Sequence, residues 1–272
     1  MASKGYDISE LKEEKKILFM KKVIQILEEN NINYWITFGA LLGYVRQKRL
    51  IPWDHDIDIG IFDISKIEKL ESKFKDIKLS MKIKYKDLKY ETTTAQIKDM
   101  TLPKESRFHI DIYEFNLIQG KPVWKYMVRT NILSRTANAI YCSLKSPPSS
   151  EKIKKYSIIK KIMIKFTIKI PCFIRPLFTN LFKNIDIRLA DKLFLVFPKL
   201  KTRTVDFYGM KVKIPVEPEK HLKIIYGENW KTPDKSFKSQ GLESIKYKEK
   251  GIKICKLQNE QEKSRKKLVK NP

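Results

Sequence analysis

Cysteine is scarce in this chain: three in 272 residues, with Cys142, Cys172 and Cys255 too far apart to form a CxxC pair. That spacing offers neither a disulfide framework nor a cysteine zinc site, and it fits a reducing compartment. Carboxylates are also in short supply, since 31 Asp+Glu stand against 57 Lys+Arg for a formal net charge of +26. No uncharged apolar run approaches the ~20 residues of a membrane-crossing helix. The opening MASKGYDISELKEEKK lacks the apolar core of a signal peptide. The expected location is therefore cytoplasmic, with room for peripheral contact at the inner face of the membrane. Internal repeats and Gly-rich phosphate loops are missing too.

What is present argues for a folded protein. The 42% hydrophobic and 11% aromatic content excludes a disordered chain. The length suits one large domain, or a domain with a substantial appendage. The positive charge has two readings: attraction to a polyanion such as nucleic acid, anionic lipid or a phosphorylated substrate, or a solvated lysine-rich surface.

Periodicity places the elements. Residues 7 to 30 predict a helix, with Asp7 and Glu10 spaced as a capping box and an apolar stripe of Ile17, Met20, Ile24 and Leu27. INYWITF reads as a buried strand, and Gly39 opens a short helix, ALLGYVRQKR. Ser65 and Glu68 suggest a capping box for a helix to about Lys75, and strands are expected at 77–84, 93–100 and 107–115. From residue 151 the composition changes, and no acidic residue occurs between Lys152 and Ile185. This basic, apolar segment, broken by Pro171 and Pro176, fits either an anionic membrane surface or core helices whose lysines snorkel outward.

Against this scarcity of acid, the stretch RLIPWDHDIDIGIF at 49–62 sets Asp54, Asp56 and Asp58 at every second position. In a strand these three would share one face, opposite Ile57, Ile59 and Ile61. Carboxylates held so close repel or shift their pKa values unless a cation sits among them, and hard divalent ions are the usual answer. A third carboxylate from a neighbouring strand would complete such a site, and Asp111 in HIDIY is the best placed. His109 shares that strand face and is read as a core or edge histidine.

The block WITFGALLGYVRQKRLIPWDHDIDIGIF resembles the signature of the LicD/fukutin family, with Gly39, Leu41, Leu42, Gly43, Arg46, Ile51, Pro52, Trp53, Asp54, Asp56 and Asp58 on family positions. IKDMT at 97–101 is similar to a family strand, with Lys98 in place of an arginine, and HIDIYEF to the strand that carries the third aspartate. YGMKVKIPVEPEKHLKIIYGENWKTP resembles the closing module, with Pro215, Leu222, Tyr226, Gly227 and Trp230 on expected positions. His55 stands where the family more often has Asp, and alternation would turn it away from the carboxylates.

The resemblance implies an α/β (α+β) fold: a nucleotidyltransferase-type mixed sheet core with flanking helices and a helical C-terminal half. It implies a catalytic core over 1–120, a divergent basic helical region over 121–200 on the acceptor side or the membrane surface, a closing module over 201–245 and a basic tail over 246–272. The implied reaction moves a phosphorylated alcohol or sugar, such as phosphocholine or ribitol phosphate, from a CDP-linked donor to a glycan acceptor, lipid-linked or free. Mg²⁺ or Mn²⁺ would be held by Asp54, Asp56, Asp58 and Asp111, with Asp56, Asp58 and Asp111 catalytic. Gly39, Gly43, Arg46 and Lys98 would bind substrate. An anionic membrane is the further partner expected, through 152–183, and no specific nucleic acid is expected. Two rival readings stay open: a nucleotidyltransferase acting on RNA or a small molecule, and an inactive membrane-surface scaffold.

Overall fold

The structure is a computed structural model that describes residues 13–84, 91–102, 108–129, 131–146 and 158–234. The capping box at Asp7 and Glu10, Cys255 and the tail beyond 246 lie outside the described residues. The chain runs through α1 (Glu13–Glu29), β1 (Tyr34–Ile36), α2 (Phe38–Gln47), β2 (Asp56–Ile61), α3 (Ile64–Glu68), α4 (Glu71–Asp76), β3 (Leu79–Lys84), β4 (Thr94–Asp99), β5 (His109–Glu114), β6 (Asn116–Ile118) and β7 (Lys121–Val128). It continues through α5 (Ile132–Lys145), α6 (Ile158–Ile168), α7 (Arg175–Leu189), β8 (Asp191–Val196), β9 (Thr202–Phe207), β10 (Met210–Pro215) and α8 (Pro218–Tyr226). Contacts divide it into two compact units, one from Met1–Tyr126 with Phe194–Leu242, the other centred on Met127–Leu193.

The expected mixed α/β architecture is present. The first unit holds a five-stranded sheet in the order β1-β2-β5-β4-β3. β2 and β5 run parallel, and the other pairs run antiparallel. Paired residues in a sheet share a face, so the register sorts the side chains. Ile57, Ile59, Ile110, Ile112, Ala95 and Ile97 lie together on one face and are fully buried. They join Met20, Val23, Ile24 and Leu27 of α1 and Phe74 of α4 in one core. The opposite face carries Asp56 beside His109, and Asp58 beside Asp111.

The helix expected from Ser65 to Lys75 is two short helices, α3 and α4. Asp63 rather than Ser65 caps the first, because its carboxylate accepts the Ser65 amide at 3.1 Å and the Ser65 hydroxyl at 2.6 Å. Later residues of the chain close the same core: Phe207, Val212, Ile214, Leu222 and Trp230 from the β9–β10 hairpin, α8 and the turn that follows. A second sheet has the order β6-β7-β8.

In the second unit, α5 packs against both α6 and α7. Arg129 grips the buried carboxylate of Asp186 with two bonds, at 2.8 and 2.6 Å. Within the stretch 121–200, helices occupy the middle, and strands β7 and β8 form the ends.

Candidate active site

Residues 34–39 set the geometry of the site. After β1, the Thr37 amide donates to the Asp58 carbonyl at 3.0 Å, and Phe38 takes φ = 40°, in the left-handed region that a bulky side chain rarely enters. That bend starts α2 directly beneath β2. Thr37 precedes the helix yet does not cap it, since its hydroxyl is paired with His221 Nε2 at 3.0 Å. Asp58 takes over: its Oδ2 accepts the Gly39 amide at 3.0 Å, so a carboxylate from a neighbouring strand occupies the helix N-terminus.

Gly39 is therefore not a free phosphate donor as expected, because its amide is committed to Asp58. Its small size matters more. A Cβ there would stand 2.2 Å from Asp54 Oδ2 and 3.4 Å from Asp58 Oδ2. Gly43 serves the loop instead of the site: a Cβ would meet the Arg49 carbonyl at 2.5 Å, and the residue does not line the cavity described below. Lys98 is exposed on β4 and is likewise not among the cavity residues.

Asp56, Asp58 and Asp111 gather as the strand pattern implied, whereas Asp54, expected on the same strand face, stands before β2 and donates its amide to the Ile51 carbonyl at 3.0 Å. Asp58 is fully enclosed, and burial together with the charges of Asp56, Asp54 and Asp111 pushes its carboxyl well above the usual range. Burial and the adjacent Asp56 push Asp54 up to about 7. Asp111 goes the other way. Burial would raise it, but His109, the Lys84 charge and a hydrogen bond from Gln96 together hold it below the ordinary value. Asp56, His109 and Asp111 bring one ligand atom each within 4.8 Å of one another, with His109 Nε2 at 3.5 Å from Asp111 Oδ2 and 3.9 Å from Asp56 Oδ2.

Two carboxylates and an imidazole converge there, and Asp54 and Asp58 line the same cavity, a donor set suited to a hard divalent cation with oxygen in the majority. Asp54 and Asp58, pushed upward first by burial and then by the neighbouring carboxylates, are the groups whose charged forms a cation would favour.

The carboxylates open into a cavity of about 930 Å³ within the first unit. Arg46 lines it, and its Nε and Nη2 are buried without a hydrogen-bond partner. Trp230 lines it with an unpartnered buried indole N–H. Tyr226, at the end of α8, faces the carboxylates closely enough that Asp58, Asp54 and Asp56, after burial, hold its phenol protonated. Aromatic rings form another wall: Phe38 meets Trp124 edge-on at 5.0 Å, and Trp124 lies parallel to Tyr126 at 5.2 Å.

Several of these residues were not foreseen. His109 was set aside, although its alternation with Asp111 was visible. His55 was expected to point away, but the strand begins only at Asp56, so alternation does not govern it and it lines the cavity. Lys16 is buried and donates to the Asp54 carbonyl at 3.1 Å. Its signal was a lysine four residues before Met20, in register with the apolar stripe of α1. Trp124 and Tyr126 carried no signal that tied them to the aspartates.

A mixed sheet that aligns carboxylates on two parallel strands beside a helix N-terminus is a site suited to metal-assisted transfer of phosphate-containing groups. Residues 31–142 match the family model described as LicD/FKTN/FKRP, nucleotidyltransferase domain, so the resemblance read from the sequence is shown over that segment. An uncharacterized protein of Rickettsia typhi is 50% identical over 58 residues, 21% of this chain and 19% of that one. Ribitol 5-phosphate transferase FKRP, from mouse and from human, is 42% identical over 50 residues, 18% of this chain and 10% of FKRP. The chain thus aligns with a fifth or less of the length of these relatives. Among solved structures, the lincosamide antibiotic adenylyltransferase LnuA, lincomycin-bound, is 15% identical with a TM-score of 0.32, covering 75% of this chain and 82% of that chain. The fold rests on the strand order above.

Among the described residues, no helix is long and apolar enough to cross a membrane.

Proposed function

We propose that the first unit is a divalent-metal-dependent phosphotransferase of the LicD type. It moves a phosphorylated alcohol or sugar, of the phosphocholine or ribitol-phosphate kind, from a CDP-linked donor to a cell-surface glycan, and CMP leaves. The observation that carries this reading is the register that sets Asp58 beside Asp111 and Asp56 beside His109, with Asp56, Asp58 and Asp111 lining the cavity that also holds the unpartnered donors of Arg46. Similarity to a ribitol 5-phosphate transferase supports the class of group transferred.

Asp54, Asp56, Asp58 and Asp111 would hold Mg²⁺ or Mn²⁺, with His109 in reach. Such an ion, when bound, neutralises phosphate charge and makes an attacking hydroxyl more acidic. The protein's own residues supply binding and orientation. Arg46 offers two N–H donors to the donor phosphates, a geometry matched to their oxygens. The Gly39 amide fixes the Asp58 carboxylate, so the ligand cage is set before substrate arrives. Trp124 and Tyr126 offer aromatic faces on which a pyrimidine base can stack. The acceptor hydroxyl then attacks the phosphorus in line with the departing CMP.

Thermal shift with CDP-choline, CDP-ribitol, CDP-glycerol, UDP-sugars, CTP and ATP, each with and without Mn²⁺, tests the reading beside Asp58→Asn. The expected result is a metal-dependent shift confined to CDP compounds, lost in the variant, and followed by CMP release with the strongest ligand. The variant itself should be at least as stable as the wild type without metal, because it replaces a buried carboxyl whose charged form its surroundings disfavour with a neutral amide whose oxygen can still accept the Gly39 amide. Shifts with ATP or CTP alone would assign a nucleotidyltransferase instead, and no nucleotide shift at all would sink both enzymatic readings.

A further inference from the structure

The second unit carries an apolar surface that its own packing does not use. α6 buries Ile164 and Thr167, yet Ile158, Ile162 and Phe166, spaced four apart along another side of the helix, are exposed, Phe166 by 77%. Phe173, in the turn before α7, is 84% exposed, and Leu177 and Leu181 continue from it at the same spacing. Large side chains exposed in such series mark an interaction surface rather than ordinary scatter.

The charges around these stripes have one sign. Lys161, Lys165, Lys169, Arg175, Lys183 and Arg188 lie on or beside the two helices. Asp186 is the single acidic residue on α6 and α7, and it is buried and tied to Arg129 at 2.6 Å. No carboxylate on these helices therefore offsets the surface cations. A second copy of the chain would set cation against cation, which disfavours self-association through this face. An anionic bilayer supplies both complements: phosphates for the lysines and an acyl boundary for the phenylalanines and leucines. Helices of 11 and 15 residues are too short to span a bilayer and suit the plane of its interface.

We propose that the α6 and α7 surface docks this protein on an anionic lipid bilayer, with Phe166 and Phe173 inserted at the headgroup boundary and the flanking lysines against lipid phosphates. Docking is independent of the catalytic reading, since none of these residues lines the cavity.

Co-sedimentation of the full chain with phosphatidylcholine vesicles, with and without phosphatidylglycerol, tests it. Three proteins are compared: the wild type, Phe166→Ser/Phe173→Ser and Lys161→Gln/Lys165→Gln. The serine substitutions fall on exposed positions and leave the net charge unchanged, so they separate insertion from diffuse attraction. The expected result is binding that requires phosphatidylglycerol, falls at least tenfold in the serine variant, and falls about fivefold for each lysine removed. Undiminished binding of the serine variant would overturn the proposal, because the general positive charge would then account for the binding. Equal binding to pure phosphatidylcholine would overturn it as well. So would a lipid-free dimer, seen by light scattering, that the serine variant dissolves.

Discussion

Replacing Gly39 with alanine separates activity from stability at this site. The new Cβ would lie 2.2 Å from Asp54 Oδ2, where ordinary contact distances are about 3.5–4 Å, so the carboxylate must retreat by more than about 1 Å. A misplacement of that size costs about 10²-fold in a preorganised site. Folding should scarcely notice. The obstacle is the tip of a side chain that can swing aside, and alanine within a helix gains about 0.5–1 kcal/mol over glycine. The expected outcome for Gly39→Ala is therefore CMP release reduced about 100-fold, a smaller Mn²⁺-induced rise in melting temperature, and a urea midpoint within about 1 kcal/mol of the wild type. Full turnover would refute the claim that Asp54 must stand where it does. A loss of several kcal/mol would refute the claim that it can move.

His221 and Asp186 yield two further tests. His221 is fully buried against Phe197, and burial lowers it to about 3, so the fold prefers the neutral ring. That stabilisation is complete above the unfolded value of about 6.5 and is lost at about 1.4 kcal/mol per pH unit as the pH falls towards 3. Between pH 6.5 and 4.5 the wild type should lose about 2.3 kcal/mol that His221→Phe does not lose, measured from urea unfolding of both proteins; parallel losses in the two proteins would refute it. In the second unit, Asp186→Ala strands the Arg129 guanidinium, which keeps some contact with water at 23% exposure. The expected cost is about 3 kcal/mol, read as a lowered midpoint for the loss of helical circular dichroism.

The aspartate strand was legible because a period of two is visible without tertiary knowledge: Asp56 and Asp58 against Ile57, Ile59 and Ile61 read as a two-faced strand, and Asp54 lines the same cavity from just before it. Asp111 was legible for the same reason, and its register beside Asp58 followed from a parallel pairing that the structure contains. His109 was equally visible, but its place beside Asp56 and Asp111 depends on the pairing of β2 with β5, which no local pattern states. The glycines were harder to read. Gly39 and Gly43 look alike in sequence, yet one clears space for a carboxylate and the other for a loop carbonyl, and only coordinates separate those roles. Lys16, Trp124 and the neighbours Tyr226 and Trp230 come from three distant stretches, and nothing local to any of them refers to the aspartates. The break between α3 and α4 was obscured by Ser65, which looked like a cap while the true cap stood two residues earlier.

The bond between Thr37 and His221 joins residues 184 positions apart and frees the start of α2 for Asp58. Its consequence concerns how the protein comes into being. As the chain leaves the ribosome, β1, β2 and β5 precede by about a hundred residues the hairpin and helix that close their core and complete the cavity wall. Until Trp230 has emerged, apolar surface that it will cover stays open, and the carboxylates lack Tyr226 beside them. The segment 31–142 is thus a unit of likeness to other proteins but not a unit of folding. A fragment cut at 142 should emerge as an aggregating chain, whereas the helices of the second unit, rich in local contacts, can form while the first waits.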